Sequence, residues 1–127
     1  MENRKKRILL VDDDPQLTGA FKSALEQAGD FHVWTENKAS RSVLAARMFR
    51  PDVILLDVRM PDLDGTEVAE QMREDQELDG IPIVYFTSLI DPRENDWPTS
   101  ERFLSKTTQL SELVERLERV IDLPTAA

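Results

Sequence analysis

The sequence contains no cysteine and only one histidine, His32. The absence of cysteine excludes disulfides, thiol catalysis and metal sites built from thiolates. A single histidine excludes zinc or haem sites that need several histidines, and it argues against a Ser-His-Asp catalytic site. Any metal ion that this chain binds must therefore be held by oxygen atoms.

Long apolar runs are also absent. The longest, such as residues 8–11, are far shorter than the roughly 20 apolar residues of a membrane span. Nothing after Met1 resembles the apolar region of a signal peptide, so we expect a cytoplasmic protein. The 127 residues suffice for one domain with one ordinary core and exclude a multidomain enzyme. We predict a single domain over 1–127, with a core of about 5–122 and a frayed tail at 123–127.

Acidic residues outnumber basic ones by 25 to 16, which gives a net charge of −9. An acidic surface repels nucleic acid and anionic lipid, and no basic helix-turn-helix segment is visible. We therefore predict that this chain binds neither nucleic acid nor membranes directly. The basic cluster at residues 4–7 is interpreted as a solvated lead-in to the first strand.

Uninterrupted apolar runs indicate strands that are buried on both faces of a parallel sheet. These runs cover residues 8–11, 53–56 and 81–86. A weaker strand is expected at 31–35, nearer the sheet edge, and a short one at 103–104.

Between these runs, apolar residues recur at helical spacing over 15–28, 39–49, 65–74 and 110–121. Asp14 and Pro15 suit the start of the first helix and Gly29 its end. The alternation predicts an α/β fold, a doubly wound parallel sheet with helices on both faces and right-handed crossovers. Prolines and an Asn-Asp pair interrupt 88–101, so the fourth helix of the alternation is predicted there to be short or distorted.

Polar side chains follow the predicted strands at the edge where ligands bind in open α/β sheets. They are Asp12, Asp13 and Asp14 after the first strand, Asp57 after the third, Thr87 and Ser88 after the fourth, and Lys106 after the fifth. Clustered carboxylates repel one another, so a cation and the lysine are needed to offset the cost. An oxygen-only ligand set suits Mg²⁺. Asp14 is better explained as a helix cap, and Asp62 and Asp64 as turn formers.

This constellation resembles the receiver domain of two-component response regulators over about residues 5–122. The acidic pair Asp12 and Asp13 matches the start of the family's pattern, and Asp57 lies in the matching context LLDVRMPDLDG. The resemblance implies a flavodoxin-like sheet of five parallel strands in the order 2-1-3-4-5.

The resemblance also implies roles for individual residues. Asp57 would be the phosphoacceptor, and Mg²⁺, with Mn²⁺ as a substitute, would bind Asp12, Asp13, Asp57 and the backbone carbonyl of Arg59. Thr87, Ser88 and Lys106 would bind phosphate, while Thr87 and Phe103 would form a switch. Arg59 and Leu89 flank the path of the hydrolytic water in the family, so slow self-dephosphorylation is expected.

The function implied is that of a phosphorylation-controlled interaction module. It would accept phosphate from a histidine kinase or phosphotransfer protein and act on an output partner or a fused output domain, with a homodimer as one arrangement. It would not be an enzyme beyond its own phosphorylation and dephosphorylation. Thr107 replaces the family's usual proline after the lysine, so a looser trans loop is expected there.

Two other functions compete with this interpretation. One is a receiver-like interaction scaffold that works without phosphorylation, favoured by the missing proline and the altered 88–101 segment. The other is a Mg²⁺-dependent phosphohydrolase of the haloacid dehalogenase type, which also uses a strand-end aspartate. Gln16 stands where that family has Thr or Val, and no cap domain or late acidic pair is present.

Overall fold

Five parallel strands form the centre of the fold. The computed structural model describes residues 5–88 and 103–122. Every neighbouring pair of strands is parallel, and the order is β2-β1-β3-β4-β5, which confirms the predicted topology. The strands are β1 (Lys6–Val11), β2 (Phe31–Glu36), β3 (Val53–Leu56), β4 (Ile83–Thr87) and β5 (Phe103–Ser105).

Four α-helices connect or follow these strands in the described residues. They are α1 (Pro15–Ala28), α2 (Ser42–Phe49), α3 (Gly65–Glu74) and α4 (Leu110–Asp122). Short 3-10 turns at Ala39–Arg41 and Gln76–Leu78 precede α2 and follow α3. None of the helices in this part of the chain has the length and apolar character needed to cross a membrane.

Each face of the sheet buries its own apolar core, as predicted for helices on both faces. On one face α2 and α3 cover Leu9, Ile54 and Leu56 of the sheet. On the other, α1 and α4 cover Leu10 and Leu55. Successive strand residues point to opposite faces, so central strands with layers on both sides must be apolar at every position.

Helix starts follow from local hydrogen bonding. The Asp14 carboxylate accepts from the N–H groups of Gln16 (3.0 Å) and Leu17 (3.3 Å), with Pro15 opening α1, and this confirms the predicted cap. The first residues of the predicted 39–49 helix form the 3-10 turn, and the α-helix begins only at Ser42.

Two sequence predictions are wrong at strand boundaries. The fourth strand covers Ile83–Thr87 rather than 81–86, because Pro82 has no N–H for strand pairing; its carbonyl instead accepts from Ile54 N–H (3.0 Å). Lys6 and Arg7 are not a solvated lead-in, since β1 begins at Lys6. The Arg7 guanidinium donates to the Phe49 carbonyl (2.9 Å), which closes the end of α2.

Several predictions concern residues outside the described ranges. They are the short or distorted helix at 88–101, of which only residue 88 is described, the frayed tail at 123–127, and the role of Leu89.

The edge strand β2 has backbone groups that are occupied by side chains of α1. The N–H of Val33 donates to the Glu26 carboxylate (2.9 Å), and its carbonyl accepts from the Lys22 ammonium (2.7 Å). Lys22 and Glu26 also form an ion pair with each other at 2.9 Å. The pair therefore closes the outer edge of the sheet at this residue.

Gly65 and Gly19 provide a matched test of packing against helix propensity. A Cβ on Gly65 would lie 2.8 Å from Val58 Cα and closer still to the Asp57 carbonyl oxygen, whereas a Cβ on Gly19 meets nothing within 4 Å. We expect Gly65→Ala to lower the free energy of unfolding by about 1–3 kcal/mol. Gly19→Ala should raise it by about 0.5–1 kcal/mol. Urea unfolding of both variants measures this, and equal signs would contradict the packing argument.

Candidate functional site

Three carboxylates meet at the carboxyl edge of the sheet. Asp12 and Asp13 directly follow β1, and Asp57 directly follows β3. One carboxylate oxygen from each lies within 4.8 Å of the others. Asp12 and Asp57 are buried, while Asp13 is exposed. The predicted convergence of these residues is thus present in the structure.

Lys106 supplies the positive charge at this cluster. Its ammonium group forms an ion pair with Asp12, and its Nζ lies 3.5 Å from Asp57 Oδ2. The backbone N–H of Lys106 donates to the Thr87 carbonyl (3.1 Å), so the lysine is anchored to the end of β4. The lysine is therefore fixed by its backbone as well as by its charge.

The loop around Lys106 is held without the proline that the family usually has. The described residues contain no cis peptide bond, so the Lys106–Thr107 bond is trans. Thr107 N–H donates to Ser105 Oγ (3.1 Å), and the two hydroxyl oxygens lie 2.6 Å apart. Thr108 N–H donates to the Ser105 carbonyl (3.0 Å). The trans bond agrees with the prediction, and these hydrogen bonds form a turn over residues 105–108.

The electrostatics of Asp57 reflect its burial. Desolvation raises the pKa of its carboxyl above the ordinary value; the Lys106 charge lowers it and the Asp12 charge raises it further. The N–H of Arg59 donates to Asp57 Oδ1 (3.4 Å), which also favours the ionised form. Asp57 is consequently a carboxylate with few compensating hydrogen bonds.

The donor set fits a hard divalent cation. Carboxylate oxygens are the ligands that Mg²⁺ prefers, and Mg²⁺ is commonly bound by one or two carboxylates together with waters. Three carboxylates with one ammonium group leave excess negative charge that a cation would offset. Asp13 is exposed and leaves this side of the cluster open. Beside it lies an open cleft of about 450 Å³, lined by Asp13, Val58, Arg59, Met60, Pro61 and Asp64.

The other residues singled out in the sequence lie around this cluster. Thr87 is buried at the end of β4 and Ser88 is exposed next to it. Phe103 begins β5, and its ring stacks on that of Tyr85 with centroids 5.0 Å apart. Arg59 is exposed on the loop after β3.

Of the neighbouring aspartates, Asp14 has the predicted role, whereas Asp64 and Asp62, predicted as turn formers, make a helix cap and a contact with a distant loop. Asp14 caps α1. Asp64 caps α3 by accepting from Thr66 N–H (3.0 Å), and Asp62 accepts from Ser40 N–H (3.2 Å). Among the described residues, the group of acidic side chains arranged to hold a metal is Asp12, Asp13 and Asp57 alone.

Comparison with known proteins assigns the family. The profile of the response regulator receiver domain matches residues 8–118. The chain belongs to the response regulator receiver domain family. The receiver domain of the sensor histidine kinase PA1611 from Pseudomonas aeruginosa, solved with a magnesium ion coordinated in its active-site cleft, is 30% identical with a TM-score of 0.79. That comparison covers 94% of this chain and 99% of that one.

Curated relatives include short and long response regulators. Protein PilH of Pseudomonas aeruginosa is 30% identical over 118 residues, covering 91% of this chain and 97% of PilH. The DNA-binding response regulator MtrA of Mycolicibacterium smegmatis is 36% identical over 91 residues, 72% of this chain but 38% of MtrA. The chain likewise spans between 35% and 55% of the length of several other regulators. Its place is that of a receiver domain in two-component signalling.

Sequence reasoning missed one residue that shapes this receiver site. The Asn37 side-chain amide, on the loop after β2, donates to the Asp12 backbone carbonyl (2.7 Å) and to Thr18 Oγ1 (3.0 Å). It therefore ties the acidic loop to a buried residue of α1. A lone loop asparagine carries no periodicity or motif that could have indicated this role.

We expect Asp57→Asn to stabilise the metal-free receiver domain at neutral pH. A carboxyl whose pKa is raised on folding contributes stability below its unfolded pKa and loses that contribution as pH rises through the folded pKa. The neutral amide escapes this loss, so Asp57→Asn should be more stable than the wild type at pH 7. The gain should shrink as pH falls towards the ordinary aspartate value of 3.8.

Urea unfolding in a chelator across this pH range measures the difference between variant and wild type. Asp79→Asn, at an exposed position outside the cluster, is the control and should leave stability unchanged. An Asp57→Asn variant that is less stable at neutral pH would contradict the desolvation argument.

Removing the Asn37 donor should loosen the acidic loop. We expect Asn37→Ala to cost about 1–3 kcal/mol, because it leaves a partly buried carbonyl without its partner. Asn37→Asp, which keeps the size but not the donor, should cost at least as much. Exposed Gln27→Ala, which also breaks a side-chain hydrogen bond in the receiver domain, should change stability by less than about 0.5 kcal/mol. Urea unfolding and the NMR chemical shifts of the Asp12 and Asp13 backbone amides test this. An Asn37→Asp variant with the stability of the wild type would refute it.

Proposed function

We propose that Asp57 is the phosphoacceptor of this receiver domain. The observation that carries the proposal is the position of the Lys106 ammonium, paired with Asp12 and 3.5 Å from Asp57 Oδ2. A carboxylate nucleophile needs positive charge beside it, because an incoming phosphoryl group is itself anionic. Lys106 provides that charge at the carboxyl edge of the sheet.

The transfer is a displacement at phosphorus. One carboxylate oxygen of Asp57 attacks, an O–P bond forms, and the P–N bond of a phosphohistidine donor breaks, with its electron pair leaving on the imidazole. Lys106 then makes a charge-assisted hydrogen bond to a phosphoryl oxygen, exchanging part of its contact with Asp12. Thr87 and Ser88 contribute hydroxyl groups at the adjoining strand end.

The Asp12, Asp13 and Asp57 carboxylates together with the Arg59 backbone carbonyl would hold Mg²⁺, with Mn²⁺ as a substitute. When bound, the cation offsets the carboxylate charge and stabilises the oxygens of the transferring phosphoryl group. The excess negative charge of the three carboxylates over one lysine supports this assignment.

Thr87 and Phe103 are proposed as the switch. A phosphoryl oxygen on Asp57 offers Thr87 a hydrogen-bond acceptor, and inward movement of Thr87 would free space beside β5 for the Phe103 ring. That ring stacks on Tyr85 in the present structure, so rotation would exchange one packed arrangement for another. Two discrete packing states are what a phosphorylation switch requires.

The donor in the cell is proposed to be a histidine kinase or a phosphotransfer protein in the cytoplasm. The signal is proposed to pass to an output partner or a fused output domain, and a homodimer is one output state. These residues are proposed to bind neither nucleic acid nor membranes directly. The chain is proposed to act on no separate substrate. Its chemistry is its own phosphorylation and dephosphorylation.

A small acyl phosphate with Mg²⁺ tests the phosphoacceptor assignment. After acid quenching, the intact mass of the wild type should show a single phosphoryl adduct that is absent from Asp57→Asn and from samples with excess chelator. Asp79→Asn, outside the cluster, should retain it. An adduct on Asp57→Asn would move the acceptor elsewhere, and no adduct on the wild type would favour the phosphorylation-independent scaffold.

Decay of the same adduct tests the proposal that Arg59 and Leu89 slow the hydrolytic water. The long exposed side chain of Arg59 follows the acceptor by two residues. We expect a shorter adduct half-life in Arg59→Ala and in Leu89→Ala than in the wild type. An unchanged or longer half-life in both variants would contradict the proposal.

A further inference from the structure

Three of the four large apolar side chains that are exposed in the described residues belong to β2 and α2, which contact each other through the Trp34 and Phe49 rings. Trp34 (38% exposed), Leu44 (58%) and Met48 (66%) belong to β2 and α2, and the fourth, Leu110 (39%), begins α4. Leu44 and Met48 are four residues apart and lie on the same side of α2. The Trp34 ring packs 5.1 Å from that of Phe49, the residue after Met48.

This surface is also basic, although the chain as a whole carries a charge of −9. Residues 37–50 contain Lys38, Arg41, Arg47 and Arg50 and no acidic residue. Arg41 is exposed and ends the 3-10 turn that leads into α2, three residues before Leu44. We name Trp34, Arg41, Leu44 and Met48 the α2 patch.

The charges around the α2 patch are largely uncompensated. Arg47 of α2 is compensated, because its guanidinium forms ion pairs with Asp75 (2.7 Å) and Glu77 (3.2 Å). Within residues 5–88 and 103–122, neither Arg41 nor the flanking Lys38 and Arg50 forms a side-chain ion pair. Exposed apolar area beside unpaired cations is typical of interaction sites rather than of ordinary solvated helices.

We propose that the α2 patch is a docking surface for an acidic amphipathic helix of a partner protein. The partner's apolar side chains would cover Leu44, Met48 and the Trp34 ring, and its carboxylates would pair with Arg41 and its basic neighbours. This is the helix-against-apolar-surface mode of recognition, with charge selecting the partner. The proposal is independent of the phosphorylation of Asp57, because the patch is exposed in the unmodified chain.

A second copy of this chain fits the α2 patch less well. Its acidic amphipathic helix, α4, has the right pattern, but Leu113 and Leu117 of that helix are fully buried in the core. Two α2 patches facing each other would bring the basic residues of one copy towards those of the other, and like-charge repulsion disfavours this arrangement.

A membrane surface also fits less well. Only two exposed apolar side chains, Leu44 and Met48, project from the eight residues of α2. The acidic remainder of the chain would be repelled by anionic lipid.

A synthetic peptide tests the proposal. The probe is a fluorescein-labelled helical peptide of about 18 residues, or five turns, with leucines at i, i+4 and i+7 spacing and glutamates flanking them. We expect saturable anisotropy changes with the unphosphorylated chain, weakened on the order of tenfold in a Leu44→Ser, Met48→Ser double variant and in Arg41→Glu. Leu110→Ser, which removes the exposed apolar side chain outside the patch, should bind like the wild type.

Other outcomes would overturn the assignment. The assignment is wrong if the peptide does not bind, or if a scrambled peptide or one with lysines in place of the glutamates binds equally well. It is also wrong if Leu110→Ser weakens binding as much as the patch variants do. Self-association in sedimentation velocity that the double variant abolishes would identify a second copy as the occupant. Binding to vesicles of phosphatidylglycerol and phosphatidylcholine in preference to the peptide would identify lipid. Unfolding curves confirm that each variant is folded, and Arg41→Glu leaves the apolar side chains intact.

Discussion

The site depends on one constraint: negatively charged carboxylates are held close together at the carboxyl edge of a buried sheet. Asp12 and Asp57 lie on adjacent strand ends, away from water, with a single ammonium group from Lys106 between them. Backbone groups offset part of the cost: Asp14 N–H donates to Asp12 Oδ1 (3.0 Å). What remains uncompensated is a pocket of negative charge, and oxygen ligands in such a pocket suit a divalent cation.

The loops that carry these charges are fixed by contacts from outside the site. Gly65 N–H donates to the Val58 carbonyl (2.8 Å), so the start of α3 presses directly on the residues after β3. On the other side Asn37 holds the Asp12 carbonyl, and Ser40 binds Asp62. The segment leading into α2 therefore contacts both acidic loops, and α2 is connected to the carboxylate cluster through these hydrogen bonds.

Sequence reasoning succeeded where one strong local signal stood alone. The bounds of α1 follow from Asp14, Pro15 and Gly29, and the site follows from the rule that parallel strand ends share an edge. It failed where a residue's role depends on a distant partner. Lys6 belongs to β1 because its N–H pairs with Asp30 (3.0 Å), and Asn37 matters because of a backbone carbonyl 25 residues away. Neither hydrogen bond can be predicted from the charge pattern or the apolar periodicity of the sequence.

The occupied edge of β2 has a consequence for crowded conditions. An extended segment of another chain can add to a sheet only by hydrogen bonding to free backbone groups along the outermost strand. At Val33 that segment would have to displace both Lys22 and Glu26 and separate their ion pair. Backbone pairing with another chain is therefore blocked at the middle of β2, and contacts made at this point must go through side chains.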